Sequence, residues 1–146
     1  MRILLIVALI LMTSKLTGQN LDSHKWENRL ILIISTNQDS EVYNNQIEEF
    51  ETSYKGFAER RLIIYHVLPN QYKTVDYEND KSDNKWRSSS KLFKRYADDQ
   101  SDFKVVLIGL DGSVKLQQND LLTTDKLFET IDAMPMRRSE IKNKKN

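Results

Sequence analysis

FKVVLIGLDGSVKLQ, residues 103–117, is the stretch on which the fold turns. Phe103–Leu110 is an apolar run of strand length, rich in β-branched residues. Asp111–Gly112 is a hairpin dipeptide, because glycine supplies the positive φ that a tight turn demands. SVKLQ, residues 113–117, then alternates apolar and polar and returns antiparallel as an edge strand. A hairpin near the end of a chain that begins with buried strands and helices narrows the topology sharply. Upstream, RLILIIS (29–35) is a continuous apolar run suited to a strand covered on both faces. RLIIYHVL (61–68) is a second such run, stopped by Pro69.

Between those two strands, Tyr43, Ile47, Phe50, Tyr54 and Phe57 recur at helical spacing, which predicts one amphipathic helix over 41–59, capped by Asp39 or Ser40. PNQYKTVDYENDKSDN (69–84) is polar and acidic without a period and reads as a long exposed loop. Trp86, Ser90, Phe93 and Ala97 predict a shorter helix before the hairpin. After it, Thr124 is expected to cap a last helix whose apolar face is Leu127, Phe128 and Ile131, and Pro135 is expected to end it. The expected fold is α/β: a mixed sheet in a thioredoxin-like three-layer sandwich, with elements in the order β-α-β-α-β-β-α.

Composition bounds the cellular context. Arg2 precedes an apolar run from Ile3 to Met12, followed by TSKLTGQ (13–19), the pattern of a secretory signal peptide over about residues 1–18. That run falls short of the ~20 residues needed to span a bilayer as a helix. An uncleaved anchor or a buried N-terminal helix is the alternative. The expectation is therefore an exported protein, periplasmic or secreted, with no membrane span after cleavage, a domain over 24–141 and a basic tail over 142–146. The chain has no cysteine, so it uses neither disulfides nor thiol chemistry of its own. Residues 19–136 hold 15 Lys/Arg and 20 Asp/Glu, whereas 137–146 hold five basic residues and one acid. A mildly acidic body with a short basic end argues against a nucleic-acid partner, which would require a basic face or groove.

Four short runs, WENRLILII (26–34), ERRLIIYHV (59–67), LIGLDGSVKL (107–116) and IDAMPMRRSEI (131–141), occur in this order. Together they resemble the signature of the DUDES-type thioredoxin-like domain of unknown function. That domain stands alone in small exported bacterial proteins and occurs inside extracellular-matrix proteins such as the sushi-repeat protein SRPX. The resemblance covers about residues 24–141 and implies a thioredoxin-like fold. An oxidoreductase role has been suggested for such domains. Redox-active thioredoxins carry their thiol where the first strand meets the first helix, lowered in pKa by the helix N-terminus. Here that junction reads Ser35-Thr36-Asn37-Gln38-Asp39-Ser40. The cis-proline that thioredoxins place before the third strand is replaced by Ser101-Asp102.

The remaining chemistry is sparse. Ser35, Thr36 or Ser40 could serve as a nucleophile only with a base in reach, and the chain has two histidines, His24 and His66. No Gly-x-Ser-x-Gly elbow frames such a pair. Asp76-x-Glu78-x-Asp80 resembles the opening of an EF-hand loop, but Lys81 and Arg87 stand where its glycine and bidentate glutamate belong. No metal or cofactor is therefore expected. Arg60, Lys115, Asp132, Arg137 and Arg138 recur in the four runs as a candidate anion or partner site. The plainer reading makes the charged group, with Asp111, a set of ion pairs fixing the last helix and its tail against the sheet rim. The expectation is an exported monomeric binding or interaction module, its partner an envelope or extracellular protein, peptide or anionic glycan. The alternative is an enzyme, either a cofactor-dependent envelope oxidoreductase or a hydrolase using Ser35, Thr36 and His66.

Overall fold

A computed structural model of the chain describes residues 21–79 and 85–146. The expected signal peptide and Asp80 lie outside these residues. A 3-10 turn, Leu21–His24, leads into β1 (Arg29–Ser35), which is buried along its whole length. Two helices follow, α1 (Glu41–Glu51) and α2 (Tyr54–Glu59), and then β2 (Leu62–Leu68). The predicted single helix over 41–59 is broken at Thr52–Ser53. Ser53 accepts the Gly56 and Phe57 amides through its carbonyl and restarts the helix. The turn brings Phe57 onto Phe50, with ring centroids 5.1 Å apart. Of the two candidate caps, Ser40 is the one used, its Oγ accepting the Tyr43 amide at 3.2 Å.

β1 and β2 run parallel, and their crossover is supplied by α1 and α2, since parallel neighbours cannot be joined by a tight turn. The segment read as a long loop, 69–84, instead contains β3 (Gln71–Asp76), and β4 (Arg87–Ser88) stands where the helix marked by Trp86 was expected to begin. A two-residue turn at Pro69–Asn70 folds β3 back antiparallel on β2, with Leu68 opposite Gln71 and His66 opposite Lys73. β3 escaped the pattern because neither of its faces is uniformly apolar. Tyr72 and Asp76 are buried on one side, and Lys73 and Val75 are half-buried on the other.

The short helix α3 (Lys91–Tyr96) precedes β5 (Phe103–Ile108) and β6 (Val114–Gln118), the expected hairpin. Gly112 sits at φ +81° in its turn. The sheet order is β4-β3-β2-β1-β5-β6, with β1–β2 as the parallel pair. α4 (Thr124–Asp132) is capped by Thr123 and not by the expected Thr124; the Thr123 side chain accepts the Lys126 amide. Thr124 is turned inward, its hydroxyl donating to the Glu49 carbonyl at 3.1 Å. Three layers result. α1, α2 and α4 cover one face of the sheet through Phe50, Phe57, Leu127 and Ile131 against Ile31, Ile33, Ile64 and Val105. α3 and Leu21 cover the other, through Leu92 on Leu30, Leu32, Tyr65 and Val106.

Pro135 does not end the chain's helical structure. It ends α4 and begins α5 (Pro135–Lys144). A proline has no N–H to lose at the first helical position, where that donor is unsatisfied in any residue. Met134, forced extended by the following ring, serves as the cap residue at φ −72°, ψ 140°. Most of the expected basic tail is thus the last turn of α5. This helix has no apolar stripe, and Arg137 is its one buried residue.

Candidate functional site

Ser35 ends β1 fully buried. Its hydroxyl donates to the Asn37 carbonyl at 2.8 Å and accepts the Asn37 amide at 3.2 Å. Asn37 in turn accepts the Asp39 amide through Oδ1 at 2.9 Å. Thr36 is exposed, and its amide donates to the Asp102 carbonyl. The strand–helix junction is therefore closed by its own short polar side chains, a common use of Ser and Asn in turns. His66 is not among them. It lies on β2 opposite Ile33, and its Nδ1 meets the Tyr43 hydroxyl at 3.1 Å. Burial and then the nearby Lys73 ammonium push the His66 pKa down to about 3, so the imidazole is neutral at physiological pH. Burial likewise pushes Tyr43 up to about 12. The other histidine, His24, is bound to the Tyr65 hydroxyl at 2.7 Å on the opposite face of the sheet.

Beside His66 the molecule opens. A crevice of about 250 Å³ lies between α1 and one flank of β2 and β3. Its floor is Ile33, Ile64 and Val75, and its wall is Ile47 and Phe50. His66 and Lys73, direct cross-strand partners, mark one end. Glu51 and Tyr77 complete the lining. Tyr77 is raised in pKa by burial and by the Glu51 charge, which places those two side chains near each other. Lys73 Nζ lies 5.0 Å from the Trp86 ring centroid and makes no ion pair among the described residues.

The charged residues of the sequence pattern gather where α4 and α5 meet the start of β1. Arg60 grips Asp132 with two bonds, Nε to Oδ1 at 3.0 Å and a terminal nitrogen to Oδ2 at 2.7 Å. It also stacks 3.9 Å from the Phe128 ring centroid. Arg137, 1 % exposed, donates to Asp132, Glu59 and Glu140. Glu140 also accepts from both terminal nitrogens of Arg29, which is equally buried. Lys115 pairs with Asp111 at 2.9 Å in the hairpin. The Asp111 carboxyl is held well below its usual range by the Ser113 amide and then by Lys115. Arg138 is exposed and makes no ion pair among the described residues. A cavity of about 110 Å³ separates Lys115 and Asp111 from Arg29, with Leu110, Met134 and Met136 around it.

Residues 20–140 match the family described as a domain of unknown function, DUF4174. The chain belongs to this family. The fold of this DUF4174 domain is thioredoxin-like. The reduced 2-Cys peroxiredoxin of Plasmodium vivax superposes with a TM-score of 0.56 at 16% identity, covering 83% of this chain and 85% of that one. No curated protein matches the sequence.

In the DUF4174 domain, then, Arg60, Asp132 and Arg137 come together, Lys115 stands across a small cavity from Arg29, and Arg138 points away. Ser35 and His66 share a sheet face, but each is bonded elsewhere. Asp76 is engaged by the Glu78 and Asn79 amides in its own turn. No group of His, Asp and Glu able to hold a metal occurs among the described residues. The pattern overlooked Arg29, hidden as the polar start of an apolar run, and Glu140, assigned to the end of the chain. It also overlooked Lys73 and Tyr77, which fell in the supposed loop. The signal for β3 was the alternation of Tyr72, Thr74 and Asp76 with Lys73, Val75 and Tyr77.

Proposed function

We propose that this DUF4174 domain is an exported module that works by binding, without thiol redox chemistry, and that it is related to the DUDES-type domains. The observation that carries the reading is the closed β1–α1 junction. The chain has no cysteine. The Ser35 hydroxyl is tied to Asn37 and the His66 Nδ1 to Tyr43, so nucleophile and base are not joined. A neutral, buried histidine with a pKa near 3 is also a poor general base at neutral pH. The apolar run Ile3–Met12 behind Arg2 supports export.

Purified protein incubated with hydrogen peroxide and dithiothreitol, with NADPH and flavin, and with p-nitrophenyl acetate tests this directly. The expected rates equal those without protein. Turnover that disappears in Ser35→Ala or His66→Ala would replace the binding module with an enzyme. Export is tested separately by fusing residues 1–24 to alkaline phosphatase, which is active only outside the cytoplasm. An inactive fusion refutes the localisation.

A further inference from the structure

We propose that the crevice between α1 and the β2–β3 flank is a site for a small monocarboxylate with an apolar tail, its carboxylate on Lys73 and His66. The inference rests on the binding reading above and gives it a ligand class.

Three features of the cleft specify that ligand. At one end Lys73 presents an ammonium with no carboxylate partner among the described residues, next to His66. His66 is 5 % exposed, and its Nδ1 is taken by Tyr43. The Tyr43 side chain is itself buried and its hydroxyl has no other hydrogen-bond partner among the described residues, so its proton is assigned to Nδ1. The imidazole must then carry its own hydrogen on Nε2, which has no partner among the described residues. One cation and one neutral N–H donor at the same end match a single carboxylate.

Along the middle, half-buried Val75 below and Ile47 beside offer only hydrocarbon, backed by the buried Ile33, Ile64 and Phe50. A ligand that is charged throughout would leave its polar atoms unpaired there. At the far end stand Glu51 and Tyr77. Tyr77 lies four residues beyond Lys73, about 13 Å at the rise of a strand. Glu51 is in the last turn of α1, whose C-terminal carbonyls add partial negative charge. A second acid group at that end is therefore disfavoured, which separates a monocarboxylate from a dicarboxylate. The volume, about 250 Å³, lies just below the usual range for drug-sized ligands and suits a tail of about one ring or a short chain.

The test uses three probes on one skeleton: 3-phenylpropanoate, 3-phenylpropan-1-ol and 3-phenylpropylamine. Each is titrated into the isotopically labelled chain and followed by amide chemical shifts. Saturable shifts are expected for the carboxylate at Ile64, His66 and Val75, with the alcohol and the amine weaker by about tenfold or more. Lys73→Gln should weaken the carboxylate by about tenfold or more, and Glu51→Gln should leave it unchanged or tighter. Equal binding of the three probes, shifts confined to another part of the molecule, no saturation at millimolar carboxylate, or full affinity in Lys73→Gln each overturns the inference. Any of these leaves the binding module standing, because that reading fails on turnover and not on the identity of the ligand.

Discussion

Glu140→Ala is the substitution that most directly tests what holds α5 to the body. Arg29 and Arg137 are each 1 % exposed, and Glu140 is the one carboxylate on Arg29 among the described residues, reached at 3.1 and 3.3 Å. Without it Arg29 retains, among the described residues, the Arg60 carbonyl at 3.0 Å and no counter-charge, and its Nε is already unpaired there. Arg137 keeps Asp132 and Glu59. Stranding a buried charge in this way costs about 3–5 kcal/mol. With a urea slope of ~2 kcal/mol/M, the unfolding midpoint should fall by roughly 1.5–2.5 M, read by circular dichroism.

Two controls sharpen the test. Adding Arg29→Met to Glu140→Ala should restore at least half of the loss, because the stranded charge is then gone. Lowering the pH should also shrink the gap between Glu140→Ala and the natural sequence. Burial raises the Glu140 pKa, but bonds and charge from Arg29, then Arg137 and Arg61, outweigh it and hold the carboxyl below its ordinary value. Its stabilisation is therefore complete above the unfolded pKa, about 4.3, and is lost as pH falls through the lower folded value. A midpoint change below about 0.3 M at neutral pH, under the same slope, would refute the argument. So would a double variant that loses the sum of both single effects.

Further outcomes follow from other contacts. Gln46 is fully buried and pairs both polar groups of Leu122, at 2.7 and 2.8 Å, so Gln46→Leu should destabilise by about 2–4 kcal/mol in the same urea assay. Gly112→Ala should cost about 1–2 kcal/mol through backbone conformation alone, since φ is +81° and the nearest atom to an added Cβ is 3.6 Å away. A loss above about 3 kcal/mol would show that side-chain contacts also matter there. The His66 imidazole resonances should stay flat from pH 8 to about 4. Because the unfolded histidine binds its proton near pH 6.5 and the folded one does not, stability should fall below that pH by up to ~1.4 kcal/mol per unit. His66→Phe should remove that part of the acid sensitivity.

The sequence by itself determined the parts whose code is local. Apolar β-branched runs could only be the buried strands β1, β2 and β5, and Asp111–Gly112 could only be a turn, because periodicity and φ preference act over a few residues. The absence of cysteine excluded a thiol of the chain's own without any structure. Tertiary structure decided what depends on partners far apart in the chain. β3 is half polar and is a strand because β2 offers it an edge. α5 is a helix on the body because Arg137 finds Glu59 and Asp132, and Glu140 finds Arg29, 111 residues away. The same holds for the crevice. Lys73 read as part of a loop and His66 as a strand residue, and only the Pro69–Asn70 turn sets them side by side against α1. Hydrogen-bond and charge partners at such separations leave no periodic trace, so the sequence pattern passed over Arg29, Glu140 and Lys73 and could not join them to their partners.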